Sequence, residues 1–283
     1  MTIEPEFAPR AEHGFDAPDV IRTCFAASTG LALFGLAVSG FVTWPEVAKF
    51  GGGLVLAASL LPLALGLSLV AYGSAGRLRV RDAMLDMVPW TGAETVLDVG
   101  TGRGLLLIGA AKRLITGRVT GVDIWNAADT SGNLLCNDKR KIEIEGVADR
   151  AGVMTADARA LPFADASFDV IFSLLCLHNI HDAAGRTAAC REIARVLKPG
   201  GVALVGDYAG TGDYAIAFAR AGLRVYPRLS LAREAFSMMS VVRARKYRAV
   251  ANDLSGRRAI MMSAVSYQPA AAVRGTFDAT IRA

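Results

Sequence analysis

Two stretches of this chain carry no charged side chain: residues 23–45, TCFAASTGLALFGLAVSGFVTWP, and residues 50–76, FGGGLVLAASLLPLALGLSLVAYGSAG. A helix needs about 20 apolar residues to cross the ~30 Å hydrocarbon layer of a bilayer, and each run is long enough. A helix lying on a soluble core keeps a polar stripe along one side; neither run has one. Only Glu46, Val47, Ala48 and Lys49 stand between them, so a tight two-helix transmembrane hairpin is expected. Trp44 and Tyr72 lie near run ends, where amphipathic rings favour the membrane interface. Gly35 and Ser39, four apart, let the helices approach closely. Pro62 is expected to kink the second helix, which lipid-embedded helices tolerate. Composition agrees: 53% of residues are hydrophobic and 20% charged, against the usual ~45–50% and ~25%.

The segment before the first run is acidic (Glu4, Glu6, Glu12, Asp16, Asp19), and both runs are too long for the apolar core of a secretory signal. Orientation follows from Lys and Arg near the helix ends. The hairpin loop offers Lys49; Arg10 and Arg22 precede the first helix; Arg77, Arg79 and Arg81 follow the second. Both termini are therefore expected to be cytoplasmic. The net charge of +5 comes from scattered basic residues. That describes a solvated surface and gives no reason to expect a nucleic-acid partner. Cys24, Cys136, Cys176 and Cys190 form no C-x-x-C pair and no zinc spacing, so they read as free thiols with no structural metal.

After RLRVRDAMLDMVPW the pattern changes. Short apolar runs alternate with longer helical patterns: strands in ETVLDVG, RVTGVDIW, AGVMTADA, SFDVIFSLL and VALVGDY, and helices in RGLLLIGAAKRLI, NLLCNDKRKIEIEG and AAGRTAACREIARVLKPGG, the last stopped by Pro199 and Gly200. Strands that are apolar almost throughout suit a parallel sheet covered on both faces. The alternation predicts a doubly wound, Rossmann-like α/β domain. The expected division is a cytoplasmic N-terminal segment (1–22), the hairpin (23–76), the α/β domain (77–247) and a C-terminal extension (248–283).

In VLDVGTGRGLL, glycines at 100, 102 and 104 let the backbone turn tightly and approach a ligand. A dinucleotide fingerprint would need glycine at 105, where Leu105 stands. Asp98 at the strand end would repel a pyrophosphate and attract an ammonium, so a ligand with a cationic amino-acid end fits better than NAD. The second strand ends at Asp123, suited to ribose hydroxyls. The third leads to Asp157, suited to an adenine amino group.

The set VLDVGTGRG, VDIW, ADARALPFADASFDVIFS and REIARVLKPGGVALVGDY resembles the class I S-adenosylmethionine-dependent methyltransferases, and most of all the branch of ubiquinone and menaquinone methyltransferases. The resemblance covers roughly residues 78–246. It implies that Asp98, Gly100, Thr101, Gly102 and Gly104 hold the methionine end of S-adenosylmethionine. By the same resemblance Asp123 takes the ribose hydroxyls, with Ile124 against the adenine, and Asp157 and Ala158 take the adenine edge. Ser173 and Leu174 would lie near the sulfonium. It also implies a closing antiparallel hairpin, from GLRVYPRLS and SMMSVVRARKY. The connection DIWNAADTSGN is longer than usual for the family and would form part of a lid or substrate pocket. The tail 248–283 lies beyond the family domain.

CLHNIHD follows the fourth strand. His178 or His181 could deprotonate a phenol or enol acceptor, and Asp207 and Tyr208 are further pocket candidates. The reading is a membrane-anchored methyltransferase acting on a small or lipid-soluble acceptor: a quinone, phenol or lipid headgroup. The alternative is a non-catalytic cofactor-binding membrane module or an NAD-linked reductase.

Overall fold

The computed structural model describes residues 18–41, 45–125 and 135–247. Arg10 and the acidic residues before position 18, Trp44, the connection 126–134 and the tail 248–283 lie outside the described residues.

The two uncharged runs form α1 (Pro18–Phe41) and α2 (Pro45–Ala71). They pack antiparallel along small residues. Ser28 Oγ donates to the Ser59 carbonyl at 2.9 Å. A Cβ added at Gly52 would lie 1.9 Å from Ser39 Oγ and 2.8 Å from the Gly35 carbonyl oxygen. Gly35 and Ser39 thus meet a third small residue, and the backbones close to a distance that no larger side chain permits. The outer surfaces stay apolar and open, with Leu33, Phe34 and Leu36 on α1 and Leu60, Leu61 and Leu65 on α2 all exposed. Only 17% and 11% of their most apolar stretches is buried. Both helices are long and apolar enough to cross a membrane.

The second helix does not stop at the end of the uncharged run. It continues through a π-helical turn (Tyr72–Gly76), in which the Arg77 N–H donates to the Tyr72 carbonyl, into α3 (Arg77–Asp86). There the pattern becomes that of a core helix, with Val80, Met84 and Leu85 fully buried. The end of α2 and the start of the α/β domain are one helical rod. Tyr72 is accordingly not an interfacial ring: it is 3% exposed and stands edge-on to Tyr208, centroids 6.1 Å apart.

The sheet contains β1 (Thr95–Val99), β2 (Arg118–Asp123), β3 (Ala151–Thr155), β4 (Phe168–Leu174), β5 (Leu197–Asp207), β6 (Leu223–Val225), β7 (Leu229–Ser230) and β8 (Ser240–Lys246). The order is β3-β2-β1-β4-β5-β8-β6, with β7 also on β8. The first five strands are parallel; β8 runs antiparallel to β5 and β6. The connecting helices are α4 (Leu105–Ala111), α5 (Leu135–Ile144), α6 (Ala183–Val196), α7 (Thr211–Arg220) and the short α8 (Ala232–Ala235). Alternate strand residues feed two cores. Val96, Phe172 and Leu204 pack with α3 and α4 on one face; Leu97, Ile171 and Val205 pack with α6 and α7 on the other. This is the expected doubly wound sheet, closing hairpin included.

One local expectation fails and one element is new. The helix expected to run up to Pro199 ends at Val196. Leu197, fully buried, turns extended and pairs with Phe168. Sheet pairing overrides the helical pattern there, and Pro199 and Gly200 fall inside β5 at a register irregularity, a position where strands accept them. The helix α7 was not foreseen.

Candidate functional site

In a doubly wound sheet the ligand crevice opens beyond the carboxyl ends of the strands, where the strand order reverses. Here that point lies between β1 and β4, and a cavity of about 560 Å³ opens there. It is within the usual size range for small-molecule sites, ~300–1,000 Å³.

One half of the cavity is built on the glycine loop. Gly100 N–H and Thr101 N–H both donate to the Val122 carbonyl, at 2.8 and 3.0 Å, folding the loop back against β2. Asp98, 2% exposed, accepts from Thr101 Oγ1 at 2.8 Å and from the Leu107 N–H at 3.0 Å. It staples the loop to the first turn of α4. Asp123 accepts from the Gly102 N–H at 2.8 Å and the Trp125 N–H at 2.9 Å. Gly100 has φ +69°, and a Cβ there would lie 2.2 Å from Cys176 Sγ. Both the backbone conformation and the close approach therefore require glycine.

Asp98, Gly100, Thr101, Gly102, Asp123, Ile124, Asp157, Ala158 and Leu174 all line this cavity. Gly104, with φ +75°, turns the chain into α4 without lining it. Asp157 is held by Arg159, whose guanidinium meets both carboxylate oxygens, the closest contact at 2.6 Å. That hydrogen bonding, opposed by partial desolvation, keeps its carboxyl below the usual range. Ser173 is fully buried and is not among the cavity-lining residues, whereas Leu174 is; it stands behind the lining, against Cys176.

The other half is built around the turn Leu177–Asn179 that follows β4. His178 and His181 both line the cavity, but only His178 has a carboxylate partner: its Nδ1 lies 2.9 Å from Asp207 Oδ1. Asp207, at the carboxyl end of β5, is fully buried. It also accepts from the Tyr208 N–H at 2.8 Å, from Tyr214 Oη at 3.1 Å and from the His178 N–H at 3.3 Å. Four donors thus hold the carboxylate, and burial with the Asp207 charge holds the Tyr214 phenol protonated, its pKa raised. A carboxylate at Nδ1 fixes the neutral imidazole as the tautomer with its lone pair on Nε2.

Cys176 lies between the halves. Burial, then the charges of Asp123, Asp98 and Asp207, push its thiol up to about 12. Those three carboxylates make this a region of negative potential, which favours a cation over a phosphate. Leu175, also on the cavity, is a non-glycine residue with φ +53°, a strained conformation of the kind held at functional sites.

Several lining residues were invisible in the sequence: Leu69, Tyr72, Gly73 and Arg77 from the α2–α3 rod, and Arg103 and Asn179. The first three lie in an uncharged run, where no polar pattern marks which side faces a cavity. Tyr214 lies on α7, the helix that was not foreseen.

Comparison with known proteins places this geometry. Residues 97–205 match the family model described as a methyltransferase domain. The 27-O-demethylrifamycin SV methyltransferase of Amycolatopsis mediterranei is 35% identical over 133 residues, 46% of this chain and 44% of that protein. The ubiquinone/menaquinone biosynthesis C-methyltransferase of Roseobacter denitrificans is 29% identical over 154 residues, 54% of this chain and 58% of that protein. The sterol 4-C-methyltransferase of Caenorhabditis elegans is 34% identical over 118 residues, 42% of this chain and 32% of that protein. The chain therefore spans between about a third and three-fifths of these relatives. Among solved structures, the methyltransferase bound to the Haloferax volcanii Trm112 activator shares the fold (TM-score 0.50, 22% identity, 60% of this chain and 89% of that one). So does the [4+2]-cyclase SpnF (TM-score 0.50, 17% identity, 83% of this chain and 99% of that one). One fold thus carries different chemistries, and the site must decide.

Proposed function

We propose that this chain, whose residues 97–205 match a methyltransferase-domain model, is a class I S-adenosylmethionine-dependent methyltransferase that methylates a hydroxyl-bearing, small or lipid-soluble acceptor such as a quinol, phenol or lipid headgroup, from a membrane anchor formed by α1 and α2. The carrying observation is the pair His178–Asp207 set across one cavity from the glycine loop.

When bound, S-adenosylmethionine supplies an electrophilic methyl group on a cationic sulfur. The residues present fit such a cation, because Asp98, Asp123 and Asp207 surround the Cys176 position with negative charge. Asp98 and the loop Gly100 to Gly104 hold the amino-acid end, Asp123 the ribose hydroxyls with Ile124 beside the adenine, and Asp157 with Ala158 the adenine edge. His178 takes the proton that leaves the acceptor hydroxyl. Asp207, held by its four donors, stabilises the imidazolium so formed. His181, without such a carboxylate, shapes the cavity rim. Orientation and exclusion of water supply the rest of the rate.

The anchor reading rests on the exposure of the apolar helices, with the catalytic domain on the cytoplasmic side by the distribution of Lys and Arg. The test is binding. The full chain in detergent, titrated calorimetrically, is expected to bind S-adenosylhomocysteine and to ignore NADH. Binding of NADH with no binding of S-adenosylhomocysteine would defeat the reading.

A further inference from the structure

The second membrane-crossing helix is more than a tether. Leu69, Tyr72 and Gly73, all within the uncharged run, line the same cavity as His178 and Tyr208. Tyr72 stands edge-on to Tyr208, ring planes at 69°. The π-helical turn lies at this point, and such turns concentrate at functional sites.

The rod is also locked in place against the domain. A Cβ at Gly76 would lie 3.0 Å from the Glu234 carbonyl oxygen and 3.2 Å from Phe236 Cδ2. Ser68 Oγ donates to the Phe236 carbonyl, and the Arg79 guanidinium sits 5.2 Å above the Phe236 ring. The cavity wall formed by α2 therefore has a fixed position relative to His178.

Leu69 lies one turn before Tyr72, on the bilayer side, so the cavity reaches from the catalytic histidine to the surface of an apolar helix. We infer that the last turns of α2 form the acceptor wall, and that the acceptor pairs a ring-sized, hydroxyl-bearing head beside His178 and Tyr208 with an apolar tail that leaves past Tyr72 and Leu69 along α2 into the bilayer. This rests on the membrane-methyltransferase reading above and names the substrate class and the residues that select it.

The test uses the full chain in lipid nanodiscs saturated with S-adenosylhomocysteine. Two probes are compared, phenol and 2-farnesylphenol, with partition into empty discs subtracted. Wild type is expected to bind the farnesylated probe at least tenfold more tightly. Leu69→Trp and Tyr72→Ala should each lose that preference about tenfold, the loss falling mainly on the farnesylated probe. Retained preference in both variants, or an equal loss for both probes, overturns the inference. Failure of the underlying reading shows separately. Wild type that binds no S-adenosylhomocysteine, or that alkaline carbonate strips from native membranes, removes the premise and the inference with it.

Discussion

Replacing Asp207 with Asn keeps the volume of the side chain and changes only its hydrogen-bonding character. In the folded chain Asp207 Oδ1 receives His178 Nδ1 and the Tyr208 N–H, while Oδ2 receives Tyr214 Oη and, more distantly, the His178 N–H. An amide offers one acceptor oxygen and one donor nitrogen. If its oxygen faces His178 Nδ1, the Tyr214 hydroxyl can rotate to accept, and the His178 backbone N–H loses its partner. One buried donor without a partner costs about 1–3 kcal/mol of stability. If the nitrogen faces His178, the imidazole must accept at Nδ1, which moves its proton to Nε2 and leaves no lone pair for the acceptor hydroxyl. Either way the charge that stabilises the imidazolium is gone. General-base catalysis contributes about 10²–10⁴-fold, so kcat for labelled-methyl transfer should fall at least ~100-fold. Asp207 does not line the cavity, so S-adenosylhomocysteine binding, measured calorimetrically, should stay within about threefold. A variant with wild-type kcat would refute the base assignment; one that loses cofactor binding in proportion to kcat would recast Asp207 as purely structural.

Three further outcomes follow from the geometry. Gly100→Ala must hold φ near +69° and place its Cβ against Cys176, costing about 2–5 kcal/mol. Unfolding in detergent should show that loss, and adding Cys176→Gly should restore the packing part but not the backbone part. Gly52→Val drives a methyl into Ser39 and should destabilise the hairpin by about 1–3 kcal/mol; Gly53→Val, with nothing within 4 Å, should leave thermal unfolding unchanged. The Cys176 thiol is raised from 9.0 to about 12, chiefly by burial. The folded chain thus holds this proton more tightly than the unfolded chain, and its contribution is complete below pH 9 and lost as pH rises toward 12. Cys176→Ala should lose less stability than wild type between about pH 8 and pH 10 in paired denaturation curves.

Much of this was legible in the chain. The parallel strands follow their apolar runs, since both faces are covered, and the glycine loop with Asp98 and Asp123 sits at the strand ends that its spacing implies. His178 was visible as a candidate, but its distinction from His181 was not, because it depends on Asp207 arriving from another strand. That Ser173 lies behind the lining while Leu174 faces the cavity was not legible, because β4 is apolar on both sides and no alternation shows which face holds the cavity. Leu197 was assigned to a helix because local pattern cannot register its pairing with Phe168. Tyr72 and Leu69 were hidden for the same kind of reason: in a helix apolar all round, only the packed structure tells which residues face the site.

The most direct measurement is incorporation of labelled methyl from S-adenosylmethionine into membranes carrying the full chain, extracted between organic solvent and water. The account predicts label in the organic phase, abolished by His178→Ala. Label confined to the aqueous phase, or transfer indifferent to His178, would contradict it.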